Sequence, residues 1–124
     1  MKLDIDLLRD IMLEVESAPS VYDSWKMLDP DAGITRSMLY YHVHMLVAEG
    51  LIEAELTPYR CVREHYRIFG LTLAGCVVLD QIRNPKIWKQ GKAKALAEGA
   101  TTFGLKLIGT ACAGIAEGAV RAIL

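Results

Sequence analysis

Long hydrophobic runs, paired cysteines and a strong net charge are all missing from this chain of 124 residues. Each absence removes a class of protein. The three cysteines, Cys61, Cys76 and Cys112, lie far apart with no CxxC pair. That excludes a disulfide framework and suits a reducing, cytoplasmic setting. The run Leu107 to Ala116 carries no charge but is too short to cross a bilayer. Widening it takes in Lys106 and Glu117, which cost about 2.5–3.5 kcal/mol each near the bilayer midplane. A membrane span is therefore not expected. The amino terminus is acidic and amphipathic, unlike a signal peptide. No nucleophile elbow, phosphate-binding loop or paired carboxylates occur in a recognisable setting, so neither an enzyme nor a cofactor is expected. Metal ligation is not expected either. His42 and His44 are two apart on a helix, so their side chains diverge by about 200°. Cys61 and His65 lack two further obvious ligands.

What is present begins with a helix that runs straight into a strand, LYYHVHMLVAEGLIEAEL over residues 39–56. Leu39, Val43 and Leu46 recur at the spacing of one buried helical face. Gly50 supplies the left-handed conformation that ends a helix, and Leu51 can fold back on the last turn. Ile52, Ala54 and Leu56 then alternate with Glu53 and Glu55, as in a strand with one face on a core. With 52% hydrophobic residues, one compact domain with an appended element is expected.

Along the rest of the chain, Asp4 and Asp6 favour the start of a first helix with Ile5, Leu8, Ile11, Met12 and Val15 as its buried stripe. Ser17-Ala18-Pro19 ends it. Ser24 to Leu28 reads as a short strand that joins a later hairpin. Asp29 to Gly33 has room for one helical turn at most, shorter than the helix a full helix-turn-helix places there. The next helix is expected from Thr35 to Glu49. Leu51–Thr57 and His65–Leu71 follow as a hairpin around residues 58–64. Thr72 caps a helix over Leu73–Arg83. Asn84-Pro85 opens another from Lys86 toward Glu98, and a last helix spans Phe103 to about Ile123. The fold class is mainly α with a small β-hairpin, that is α+β. Residues 1–84 form a winged helix-turn-helix domain and residues 85–124 a carboxy-terminal helical extension.

Ser37 to Glu53 resembles the recognition helix and first wing strand of winged-helix regulators. MKLDIDLLRDIMLEVE, the central YYHVHMLVAEGLIEA and GLTLAGCVVLDQIRNPKIWKQGK are together similar to one family of small bacterial and prophage proteins. That family is a domain of unknown function with a predicted winged helix. The resemblance implies fold and a phage or bacterial context, and supplies no catalytic residues.

Taking Leu39 as the centre of the buried face and advancing about 100° per residue sorts the helix. Ser37, Tyr41, His44 and Ala48 face away, flanked by Tyr40 and Met45, with His42 at the edge. Arg36, Ser37, Tyr40, Tyr41 and His44 are therefore the candidate base-edge readers, and Arg36 alone can make a bidentate contact to guanine. Exposed tyrosines suit a protein interface equally well. Arg60, Arg63 and Arg67 in and beside the hairpin loop are candidate phosphate contacts; they could equally be solvated or pair with the acidic first helix. Charge is unevenly spread. Residues 1–31 carry three bases and eight acids, whereas residues 71–124 carry seven bases and three acids. Within the basic half, Lys86 and Lys89 lie one turn apart and could grip successive phosphates, or form a solvated face.

In the last helix, Gly104, Leu107, Ala111, Gly114, Ile115 and Gly118 share a face. Its glycines cost about 1 kcal/mol each relative to alanine, which makes sense if another backbone packs close. These residues are the expected dimer element. The combined expectation is a cytoplasmic, homodimeric winged-helix protein that binds double-stranded DNA and regulates transcription in a prophage or bacterial setting. The alternative is a protein-interaction adaptor on the same scaffold, with a protein partner and no DNA binding.

Overall fold

A computed structural model describes residues 3–18, 22–23, 33–59, 62–97 and 105–123. Five helices and three strands occur among them: α1 (Ile5–Ser17), β1 (Tyr22–Asp23), α2 (Arg36–Ala48), β2 (Ile52–Tyr59), β3 (Val62–Leu71), α3 (Leu73–Ile82), α4 (Pro85–Ala97) and α5 (Leu105–Ile123). The chain is mainly helical with a small antiparallel sheet. It divides into two compact units, residues 1–76 and 77–124, with the division inside α3. The expected boundary was 84/85.

In the first unit, Asp4 caps α1, its carboxylate accepting from the amides of Asp6 and Leu7 at 3.1 and 3.2 Å. Leu7, Leu8, Ile11, Met12 and Val15 are buried. Leu7 thus takes the place expected of Ile5, which is half-buried.

The sheet has the order β1-β3-β2, with both pairings antiparallel. A short strand does join the hairpin, but it is Tyr22–Asp23, aligned with Ile68 and Arg67. The expected strand at 24–28 and most of the helical turn at 29–33 lie outside the described residues. The hairpin strands are longer than the alternation suggested: β2 runs on to Tyr59 and β3 begins at Val62, and these two residues are partners. Pro58, which has no amide to donate, falls on the edge strand β2, where the register shifts between Thr57 and Tyr59.

The junction of α2 with β2 is a Schellman turn. Gly50 has φ +74°. Its amide donates to Val47 O and that of Leu51 to Leu46 O, each at 3.0 Å. Leu46 and Leu51 are both almost wholly buried. The turn is then gripped by the start of α3. Thr72 donates its amide to Leu51 O at 3.0 Å and its hydroxyl to Gly50 O at 2.6 Å. The same hydroxyl accepts the Gly75 amide at 3.0 Å, so Thr72 is also the expected cap of α3.

Gly75 was not singled out by its sequence context. A Cβ there would overlap Leu51 O and come within 3.0 Å of the Leu51 carbonyl carbon.

In the second unit, Asn84 caps α4 through bonds from the amides of Lys86 and Ile87 at 2.9 and 3.2 Å. Helices α4 and α5 pack together. Cys112 is fully buried and donates its thiol to Ile87 O at 3.4 Å. A Cβ at Gly91 would collide with the Cys112 sulfur. Among its described side chains, the buried side of α5 is formed by Ile108, Gly109 and Cys112. No helix among the described residues is long and apolar enough to cross a membrane.

Gly75→Ala should cost roughly 2–4 kcal/mol, since the obstructing group is backbone. Gly114→Ala, with nothing within 4 Å of the new methyl, should be neutral or stabilising by up to about 1 kcal/mol. Chemical denaturation followed by circular dichroism measures both, and equal midpoints would contradict the Leu51 contact.

Candidate nucleic-acid interface

Thr35 caps α2, its hydroxyl accepting the Met38 amide at 3.1 Å. No acid occupies the first turn, so the partial positive charge of the helix start is not offset there. Arg36 and Ser37 are exposed at this end. Leu39, Val43 and Leu46 are buried, while His44 and Ala48 are exposed and Tyr40 and Tyr41 half-buried. The 100° sorting agrees with this at Ser37, Leu39, Val43, His44, Leu46 and Ala48, but Tyr41, sorted as facing away, is half-buried, and His42 departs as well.

His42 is fully buried rather than at the edge. Its Nε2 faces the Asp4 amide at 2.8 Å and its Nδ1 faces Met38 O at 2.7 Å. An amide can only donate and a carbonyl can only accept. The ring therefore carries its proton on Nδ1, and both nitrogens are satisfied. A buried polar ring is tolerated on this condition. It also ties the N-cap of α1 to the middle of α2.

His44 points the other way. Its Nδ1 is hydrogen-bonded to the hydroxyl of Tyr66, a residue of β3 that is 5% exposed. Tyr40 completes an aromatic cluster. Its ring lies 6.2 Å from that of His44, nearly parallel at 9°, and 5.5 Å from that of Tyr66. Two of the candidate readers, Tyr40 and His44, are thus attached to the hairpin, whereas Arg36 and Ser37 stand clear at the helix start. Tyr41 meets the His42 ring edge-on at 5.3 Å. Tyr66 is not among the sequence-predicted site residues. The signal was its alternation with Ile68, which places both on the buried face of β3.

The candidate phosphate contacts differ in setting. Arg60 lies outside the described residues, and Arg63 lies in β3 near the hairpin end. Arg67 is exposed, and its cross-strand neighbours in register are Asp23 on one side and Glu55 on the other. Opposite charges at cross-strand positions attract, so acidic residues on both neighbouring strands make Arg67 a weaker phosphate candidate than its sequence setting suggested. In the second unit Lys86, Lys89 and Lys94 are exposed on α4. Lys92 is half-buried with its ammonium 5.2 Å from the centre of the Trp88 ring, and Arg83 pairs with Asp80 at 3.1 Å.

The expected dimer face is divided. Gly104 lies outside the described residues and Leu107 is in the first turn of α5. Ala111 and Ile115 are half-buried, while Gly114 and Gly118 are exposed with nothing within 4 Å of an added Cβ. The side of α5 that packs within the chain is centred near Cys112, about 100° round the helix from Ala111. Close approach occurs instead at Gly91 and at Gly109, where a Cβ would lie 2.5 Å from Gln81 Oε1. No cluster of three or more His, Cys, Asp or Glu side chains that could hold a metal occurs among the described residues.

Residues 2–101 match the family of hypothetical proteins DUF2513, and the chain belongs to that family. No curated protein and no solved structure matches it.

Replacing His42 by alanine should cost roughly 2–5 kcal/mol, because a cavity opens and a buried amide and carbonyl lose their partner. His44→Ala should cost less than about 1.5 kcal/mol. Thermal unfolding of the two variants would reveal the difference; equal losses would contradict the opposite placements of the two rings.

Proposed function

We propose that this protein is a winged-helix DNA-binding protein, acting in the cytoplasm as a transcriptional regulator in a prophage or bacterial setting. One observation carries the reading. Helix α1 precedes an edge strand, α2 passes through a tight turn into a hairpin, and the strands order as β1-β3-β2. Winged helices use this order to present the helix before the hairpin to a major groove.

On this reading Arg36, Ser37 and Tyr41 face base edges. Arg63 contacts phosphates on one flank, and Arg60, outside the described residues, remains a phosphate candidate from its sequence position. Within the second unit, Lys86 and Lys89, exposed on α4, are phosphate candidates in their own right. Arg67 is omitted, since its neighbours in register, Asp23 and Glu55, are both acids. With one cation on α2, affinity comes mainly from the backbone and sequence discrimination is modest. A second copy packs against Gly114 and Gly118, which have room for a close neighbour, and the dimer reads a two-fold symmetric site.

The second reading is a protein-interaction adaptor. It is favoured by the exposed apolar side chains Phe69, Leu73 and Val77, which are 44%, 83% and 52% exposed, and by the exposed acids Glu53 and Glu55 on the sheet.

Mobility shift on random duplex DNA separates the two. Wild type should be retarded at low salt and released as salt rises. Arg60→Ala combined with Arg63→Ala should weaken binding about tenfold and reduce the slope of log affinity against log salt by about two. If no duplex is retarded at low salt, the adaptor reading replaces this one. For the dimer, Gly114→Leu should dissociate it in light scattering; a persisting dimer would place the contact elsewhere.

A further inference from the structure

The Tyr40, His44 and Tyr66 cluster does more than join α2 to the hairpin. We propose that Tyr66 is a positioning residue that aims His44 at a phosphate of the DNA backbone, in the crease between α2 and β3. This rests on the DNA-binding reading above.

The geometry is specific. Tyr66 is held in the core, 5% exposed, and its hydroxyl takes the Nδ1 of His44. The two ring nitrogens of histidine flank a single carbon, so a ring tied at Nδ1 turns its Nε2 away from Tyr66. His44 itself is exposed. Stacking on Tyr40, with the rings 9° from parallel, restricts the remaining rotation. When Nδ1 accepts the Tyr66 hydroxyl proton, the neutral ring carries its hydrogen on Nε2. The exposed atom is then a donor, which suits a phosphate oxygen, an acceptor only.

His44 shares the outward side of α2 with Ser37, Tyr41 and Ala48, and its bond to Tyr66, with Tyr40 beside it, sets it at the edge of that side next to β3. A donor at that edge suits a phosphate oxygen of the backbone that flanks the groove. Preorganisation is the gain, because the ring is already restrained before DNA arrives.

The test is a double-mutant cycle read by fluorescence anisotropy on two duplexes of unrelated sequence. Tyr66→Phe keeps the ring and removes only the hydroxyl. It and His44→Ala should each weaken binding about five- to tenfold on both duplexes. The double variant should bind no more weakly than His44→Ala alone. His44→Gln, which can accept from Tyr66 through Oε1 and donate outward through Nε2, should retain most of the wild-type affinity. Additive losses, wild-type binding by Tyr66→Phe, or losses confined to one duplex overturn the proposal. Should Tyr66→Phe fail to fold, the glutamine variant decides, and a loss equal to that of alanine overturns it. Wild type that binds neither duplex removes the DNA-binding reading as well, whereas wild-type binding without coupling removes the positioning role alone.

Discussion

The Leu51 carbonyl accepts the Thr72 amide at 3.0 Å, and much of the amino-terminal unit is arranged about that bond. On one side of it, the left-handed Gly50 turns the chain out of α2 and into β2. On the other, Leu71 pairs with Ile52 in the sheet and Thr72 starts α3. Backbones this close leave no space for a side chain between them, which is why residue 75 is glycine. The contact sets where the hairpin leaves α2, and so which residues of α2 remain uncovered.

Two histidines separated by one residue show how the unit uses polar groups. His42 spends both nitrogens on backbone atoms of α1 and α2 and is sealed from solvent. His44 spends one nitrogen on Tyr66 and stays exposed. The buried ring fastens two helices; the exposed one belongs to the surface that α2 and the hairpin share. Arg67 shows the same dependence on neighbours. It is exposed, and its neighbours in register are two acids, Asp23 and Glu55.

The α4 and α5 pair is governed by small atoms. Gly91 admits the Cys112 sulfur, and that contact faces a side of α5 different from the one carrying Gly114 and Gly118. A sequence of alanines, glycines and a cysteine offers little to separate these sides, since small residues are compatible with either a tight contact or open solvent. The apolar stripe drawn through Leu107, Ala111 and Ile115 was therefore displaced from the side centred on Cys112 that packs within the chain.

Local rules made much of the fold readable in advance. Asp4, Thr35, Thr72 and Asn84 cap their helices through nearby amides, Gly50 ends α2, and the period of Leu39, Val43 and Leu46 marks its buried side. Each involves residues within a few positions of one another, so composition and spacing suffice. Tertiary structure alone decided the rest. Asp4 and His42 are 38 positions apart, His44 and Tyr66 are 22, and Ile87 and Cys112 are 25. Which histidine is sealed in, which glycine is crowded and which tyrosine steers a neighbour depend on such distant partners, and no periodicity along the chain encodes them.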